Sequence, residues 1–216
     1  MPSFWMFLPI AHIAGSFIAG FIFFYLMSAL SKAKKKQQAE EVTSLLINFV
    51  IYIWIGKILL NFLTFIKDPL AVLAYPSNSH AFYLAVLFSG IHILYKKKRH
   101  KPDWQLLLHS FIHVFLFASF IYELIDVIWM GNGHLLGYLS LLFVLLLALI
   151  MLQNSVSMAI LNKGLLFIWG AGQLALAFIM PFATVFGYMM APWFLSLFLI
   201  ANILWFLYEK KYIVRR

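Results

Sequence analysis

Cysteine is absent from the 216 residues, which excludes disulfides, thiol catalysis and thiolate metal sites. Charge is scarce too, at 11% of the chain against about 25% in a soluble domain. Acidic residues are rarest, with Asp+Glu 7 against Lys+Arg 16 and a net charge of +9. What fills the chain instead is apolar: 64% of residues, with a mean hydropathy of +0.95. A water-soluble fold of this size could not hide that much apolar surface, so a single transmembrane domain over residues 1–216 is expected. Walker, kinase, EF-hand and zinc-peptidase motifs are missing, as is any internal repeat of the kind that builds inverted-repeat transporters. No cofactor and no metal are expected, and the alternating pattern of a β-barrel is absent.

Apolar runs fall near residues 5–30, 45–66, 80–95, 104–129, 135–152, 164–184 and 188–208. One span needs about 20 apolar residues, and only helices satisfy their own backbone in hydrocarbon. The expectation is therefore an all-α polytopic protein of about seven transmembrane helices. The first run is too long for a cleavable signal and is read as a retained span. Fourteen of the 16 basic residues follow the first, third, fifth or seventh run. They include Lys32, Lys34, Lys35 and Lys36, then Lys96 to Lys101, Lys163, and Lys210 to Arg216. The positive-inside rule then puts the N-terminus outside and the C-terminus in the cytoplasm, as in a multi-pass protein of a bacterial plasma membrane. Placement of this kind accounts for the net charge without nucleic acid. The polar stretch 31–43 is expected to be a cytoplasmic loop ending at an N-cap, Thr43.

Ionisable groups inside spans are costly, so each marks a site or a structural pair. The fourth run carries His109, His113, Ser119, Glu123 and Asp126. Helical periodicity places His109 and Glu123 within roughly 40° of His113, on one face that should point inward. Glu123 stands about 15 Å above His113, so one metal cannot use both. His109 and His113 have the spacing of a metal pair, with His92 at a similar depth, but histidines bonded to neighbouring helices are the favoured reading. Lys57 falls in the outer half of the second run, as do Glu123 and Asp126 in the fourth. An ion pair between Lys57 and one of them is expected, with His12 deep enough to join. Gly15-x-x-x-Ala19, Ser16-x-x-x-Gly20 and Gly170-Ala171-Gly172 read as close-packing faces, and Pro9, Pro181 and Pro192 as kinks or span ends.

A series of motifs runs from Ala14-Gly15-Ser16-Phe17 through a basic stretch to Glu41-Val42-Thr43-Ser44-Leu45-Leu46, then Gly56-Lys57-Ile58 and Asp68-Pro69-Leu70. It continues with Phe82-Tyr83, with residues 95–104, and with Asn162-Lys163-Gly164-Leu165-Leu166-Phe167-Ile168-Trp169-Gly170-Ala171. The order of these motifs resembles the prolipoprotein diacylglyceryl transferase family. The family moves a diacylglyceryl group from phosphatidylglycerol onto a lipoprotein cysteine, and it has seven spans with the N-terminus out. The departures fall on its chemistry. Tyr83-Leu84-Ala85 stands where the family has a histidine and two glycines, with His80 three residues away. Glu123 and Gln173 align with two family arginines, Trp169 with a tyrosine, and Lys57 is the one cation kept. The outer head shrinks to Met130-Gly131-Asn132-Gly133-His134.

Arginine binds phosphate through forked, charge-assisted hydrogen bonds, and a carboxylate in its place repels it. The resemblance therefore implies a non-catalytic or diverged relative that binds a membrane lipid, or a membrane-protein or lipoprotein partner, in a lateral cavity. Its binding residues would be Lys57, Tyr83, Glu123, Asp126, Trp169 and Gln173. A second reading is a lipid-modifying acyl or diacylglyceryl transferase using His80, Tyr83 or Glu123 in altered chemistry. A third is a small transporter with His12, His109, His113, Glu123 and Asp126 as a relay, which requires a continuous polar path.

Overall fold

The computed structural model describes residues 3–74, 78–100, 103–131, 136–180 and 183–214. It is all-α and 87% helical. The elements are α1 (Ser3–Met27), α2 (Lys32–Leu60), α3 (Phe62–Lys67), α4 (Pro69–Ala74), α5 (Ser79–His100), α6 (Trp104–Met130), α7 (Leu136–Leu152) and α8 (Met158–Ile179). A two-stranded hairpin, β1 (Thr184–Val185) and β2 (Tyr188–Met189), precedes α9 (Pro192–Val214). Among the described residues, four segments are long and apolar enough to cross a bilayer: Pro9–Met27, Lys32–Leu60, Trp104–Trp129 and Met158–Ile179. Leu136–Leu152 and Pro192–Leu207 are apolar but shorter, and residues 80–95 lie within α5. Many large side chains, among them Ile18, Leu63, Ile91, Val144, Phe178 and Leu204, point away from the protein. A surface of that kind suits lipid and would be a liability in water.

Several boundaries differ from the sequence reading. Residues 32–43 are helical and continuous with α2, because their Ala, Lys, Gln and Glu are strong helix formers uninterrupted by Gly or Pro. Thr43 is therefore interior rather than a cap, and its hydroxyl donates back to the Ala39 carbonyl at 2.7 Å. The second run stops at Leu60, and α3 and α4 take up the residues that follow. Helix α8 begins at Met158, so Lys163 lies inside it, with Nζ 5.4 Å from the Trp205 ring centre and 5.5 Å from that of Phe206. The near-continuous apolar stretch from 164 to 208 is broken by the hairpin, and Pro192 opens α9. Pro9 lies inside α1, whereas Pro181 lies outside the described residues.

Three helix starts are capped through side chains. Asp68 Oδ1 accepts from the Ala71 amide at 3.0 Å, Asn78 Oδ1 from Ala81 at 2.9 Å, and Asp103 Oδ1 from Leu106 at 3.1 Å. Each spans three residues, as an N-cap requires.

The chain divides into two compact units, one formed by Met1–Ser31 with Leu108–Arg216, the other by Lys32–Leu107. In the second, α2 and α5 run antiparallel. Gly56 lets the Ala81 backbone approach so closely that a Cβ would lie 3.0 Å from its carbonyl oxygen. Tyr52 shares a 2.6 Å hydrogen bond with His92 Nδ1, and Lys96 pairs with Glu41.

In the first unit, the Ser16 and Gly20 face of α1 packs on α6. Ser16 is fully buried, and a Cβ on Gly20 would meet the Val114 carbonyl oxygen at 2.5 Å. The adjacent Gly15 face is open, with nothing within 4 Å, so only one of the two small-residue pairs is a packing face. Gly170 seats Phe198 and Leu199 of α9, Gly172 seats Leu141 of α7, and Leu142, Leu145, Leu149 and Leu195 fill the core. Close approach of this type stands in for the hydrophobic drive that lipid does not supply.

Gly20→Leu is expected to cost ~1–3 kcal/mol by overpacking against α6. Gly15→Leu, on the open face, should stay within ~0.5 kcal/mol of the parent. Thermal melting of the two variants in detergent checks the contrast.

Candidate functional site

Helix α6 carries the polar residues that organise the first unit. The face predicted from helical spacing is the buried one: His109, His113 and Glu123 are all buried. The two histidines hold one end of the helix. His109 Nδ1 donates to Asn162 Oδ1 of α8 at 2.8 Å. His113 Nδ1 donates to the His109 carbonyl at 2.9 Å, and its Nε2 lies 3.4 Å from the Gln153 side-chain amide. Gln153 Nε2 in turn donates to the Met27 carbonyl at 3.5 Å. These bonds tie α6 to α8, to the end of α7 and to the end of α1, which is a structural use. Among the described residues no three His, Asp or Glu side chains converge as a metal site would need.

Toward the other end, His12 of α1 meets Tyr122 and Asp126. Its Nε2 donates to the Tyr122 carbonyl at 3.1 Å, and the two rings stack at 4.1 Å and 9°. A carbonyl can only accept, so Nε2 carries the hydrogen. His12 Nδ1 lies 3.6 Å from Asp126 Oδ1, a direct contact between imidazole and carboxyl. The partner that the structure gives Asp126 is His12, which the sequence reading had placed at the right depth.

The hairpin covers this end. Phe186 and Gly187 form its turn with φ of +50 and +79, a pair of left-handed residues as in a tight β-hairpin. Phe186 is the one non-glycine residue with positive φ among the described residues, a costly conformation for a bulky side chain. Its ring is seated against Phe17 at 5.0 Å, Tyr122 at 5.4 Å and Phe115 at 6.0 Å. At Gly187 a Cβ would come within 3.1 Å of the Tyr122 hydroxyl.

Behind Phe115 lies a second polar cluster. Phe115 packs edge-on to Trp169 at 5.5 Å, and Trp169 Nε1 donates to the Tyr138 hydroxyl at 3.2 Å. Ser119 and Gln173 lie within hydrogen-bonding reach of that hydroxyl and Glu123 is near it, though none of the three meets strict hydrogen-bond geometry. Gln173 is fully buried and Glu123 is 1% exposed. Both Glu123 carboxyl oxygens, both Gln173 amide atoms and the Ser119 hydroxyl lack a hydrogen-bond partner among the described residues. Buried polar groups are nearly always paired, and each unpaired one costs about 1–3 kcal/mol. Five such atoms around one hydroxyl set this place apart from the histidine end.

Of the residues singled out from sequence, Glu123, Trp169 and Gln173 thus surround one point, and Asp126 lies one helical turn beyond. Lys57, Tyr83 and His80 belong to the Lys32–Leu107 unit. Lys57 is buried on α2, and its carbonyl accepts from Asn61 Nδ2 at 3.0 Å. Tyr83 is half-buried on α5, with its ring 6.1 Å from that of His80, which is exposed. Of the shortened outer segment, Asn132, Gly133 and His134 lie outside the described residues. Sequence reasoning missed Tyr138, whose only signal was a hydroxyl near the start of a strongly apolar run, two residues before Ser140.

The His12 and Asp126 contact is measurable by a double-mutant cycle of His12→Phe and Asp126→Asn. A coupling energy of about 0.5–3 kcal/mol is expected, and additivity within ~0.3 kcal/mol would mean that the contact holds no energy. No protein-family model matches this chain, and neither a curated protein nor a solved structure matches it.

Proposed function

We propose that the chain is a seven-span membrane protein, a diverged relative of the prolipoprotein diacylglyceryl transferases, that binds the polar group of a membrane lipid at the cluster around Tyr138. The observation that carries this reading is the set of unpartnered atoms on Glu123 and Gln173, two side chains buried among helices. Groups aligned so, without partners of their own, are what a ligand's hydrogen-bonding atoms would satisfy. Transfer from phosphatidylglycerol by the family's route is disfavoured, because Glu123 and Gln173 stand where arginines would bind phosphate.

The relay reading finds less support. His113 is ringed by Phe23 at 6.2 Å and Phe24 at 6.1 Å, and Leu116 is buried beside Ser119 on α6. A relay needs a continuous polar path, and these apolar groups crowd the histidine end. The proposal does not depend on Lys57 or Tyr83, which lie in the other unit.

Two measurements test the proposal. Because the chain has no cysteine, single cysteines report topology without background. Lys35→Cys and Asn154→Cys should be labelled only from the cytoplasm, and Asp68→Cys only from outside. Mass spectrometry of the protein in mild detergent should find one lipid class retained by the wild type and lost in Glu123→Ala. A lipid profile matching the bulk membrane in both would contradict lipid binding at this site.

A further inference from the structure

Resting on the lipid-binding reading, we infer that the cluster takes a primary ammonium group, the chemistry of an aminophospholipid head. Charge counting leads there first. This end of α6 holds two carboxyl groups, Glu123 and Asp126, and the base beside them among the described residues of the unit is His12. His12 is committed to Asp126 by its position and by its hydrogen bond to the Tyr122 carbonyl. No basic side chain pairs with Glu123 among the described residues. A buried carboxylate with no counter-charge is expensive, and a ligand cation supplies one. A phosphate alone would add to the imbalance.

Hydrogen-bond type narrows the class further. An ammonium offers three donors and no acceptor. Glu123 Oε1 and Oε2, Gln173 Oε1 and the Ser119 hydroxyl are unpartnered atoms that can accept. Gln173 Nε2 is the remaining unpartnered atom and can only donate. It suits an oxygen a few bonds from the ammonium, as a phosphoethanolamine head provides. A quaternary ammonium has no N–H to give these acceptors. Phe186 packs edge-on to Tyr122 and Phe115, with a left-handed backbone.

Carbodiimide coupling tests this directly. The Glu123 carboxyl adds to an apolar carbodiimide, the amine nitrogen attacks the activated carbonyl, and a urea leaves. The result is an amide that joins lipid to protein with net loss of water. The full chain is reconstituted in vesicles of phosphatidylethanolamine with phosphatidylglycerol, or of phosphatidylcholine with phosphatidylglycerol. In the first, the expected result is a peptide containing Glu123 that carries the mass of phosphatidylethanolamine less water. Co-purified lipid should be enriched in phosphatidylethanolamine about tenfold over the vesicle composition, the ratio that one charge-assisted hydrogen bond gives. The adduct should vanish in Glu123→Gln and persist in Asp126→Asn. Wild type alone keeps the test sound if Glu123→Gln misfolds, because the phosphatidylcholine vesicles must yield no adduct.

In native membranes, a cross-link from Glu123 to a lysine of another protein would uphold the ammonium inference and overturn the lipid source. Specific retention of a lipid without an amine would overturn the inference and leave the lipid-binding reading standing. Retention of bulk lipid only, with no adduct in either vesicle, would overturn both.

Discussion

A polar group buried in a bilayer has no water to fall back on, and most of the first unit follows from that constraint. Helix α6 alone brings His109, His113, Ser119, Glu123 and Asp126 inward. Each must find a partner on another helix or remain costly. The histidine end solves the problem with Asn162, Gln153 and two backbone carbonyls. The Asp126 end solves it with His12. Between them the problem is left unsolved at Glu123 and Gln173. Partner atoms could have been supplied there as they were elsewhere on the same helix, which is why the middle cluster, not the ends, carries the functional proposal.

The small residues serve the same constraint. Lipid tails compete with leucine for leucine, so helices in a membrane are held by close contact and by hydrogen bonds. Gly20, Gly170 and Gly172 bring α1, α9 and α7 near enough to α6 and α8 for those bonds to form. The hairpin adds a local cost, a left-handed phenylalanine, in return for a ring that stacks on Phe17 and packs edge-on to Tyr122 and Phe115. Strain kept at such a place is a common companion of function.

Much of this was legible in the residues themselves. The scarcity of charge, with long apolar runs, gave the helical membrane class. The 3.6-residue period put His109, His113 and Glu123 on one face, and depth counting brought His12 to the level of Asp126. Other features escaped for physical reasons. Helix α2 runs through residues 32–43 because propensity in water continues a helix where apolar content stops. The hairpin was hidden in an apolar stretch because its turn uses phenylalanine where Asn or Gly is usual. Gly15 and Ser16 begin equivalent motifs, and only tertiary contact tells which one packs. Tyr138 could not be chosen from sequence because its importance lies in its neighbours, which come from α6 and α8.

If Glu123 and Gln173 are kept for a ligand, they are a burden to the empty protein. Replacing them with leucine removes unpaired polar atoms at similar volume, a change that is often neutral or stabilising. The most direct measurement is the thermal midpoint of the Glu123→Leu, Gln173→Leu double variant, in delipidating detergent and again in native lipid. The account predicts a midpoint equal to or above wild type in detergent, together with loss of the extra stability that lipid gives the wild type. A lower midpoint in detergent, with the lipid effect unchanged, would show that the two residues hold the helices together and bind nothing.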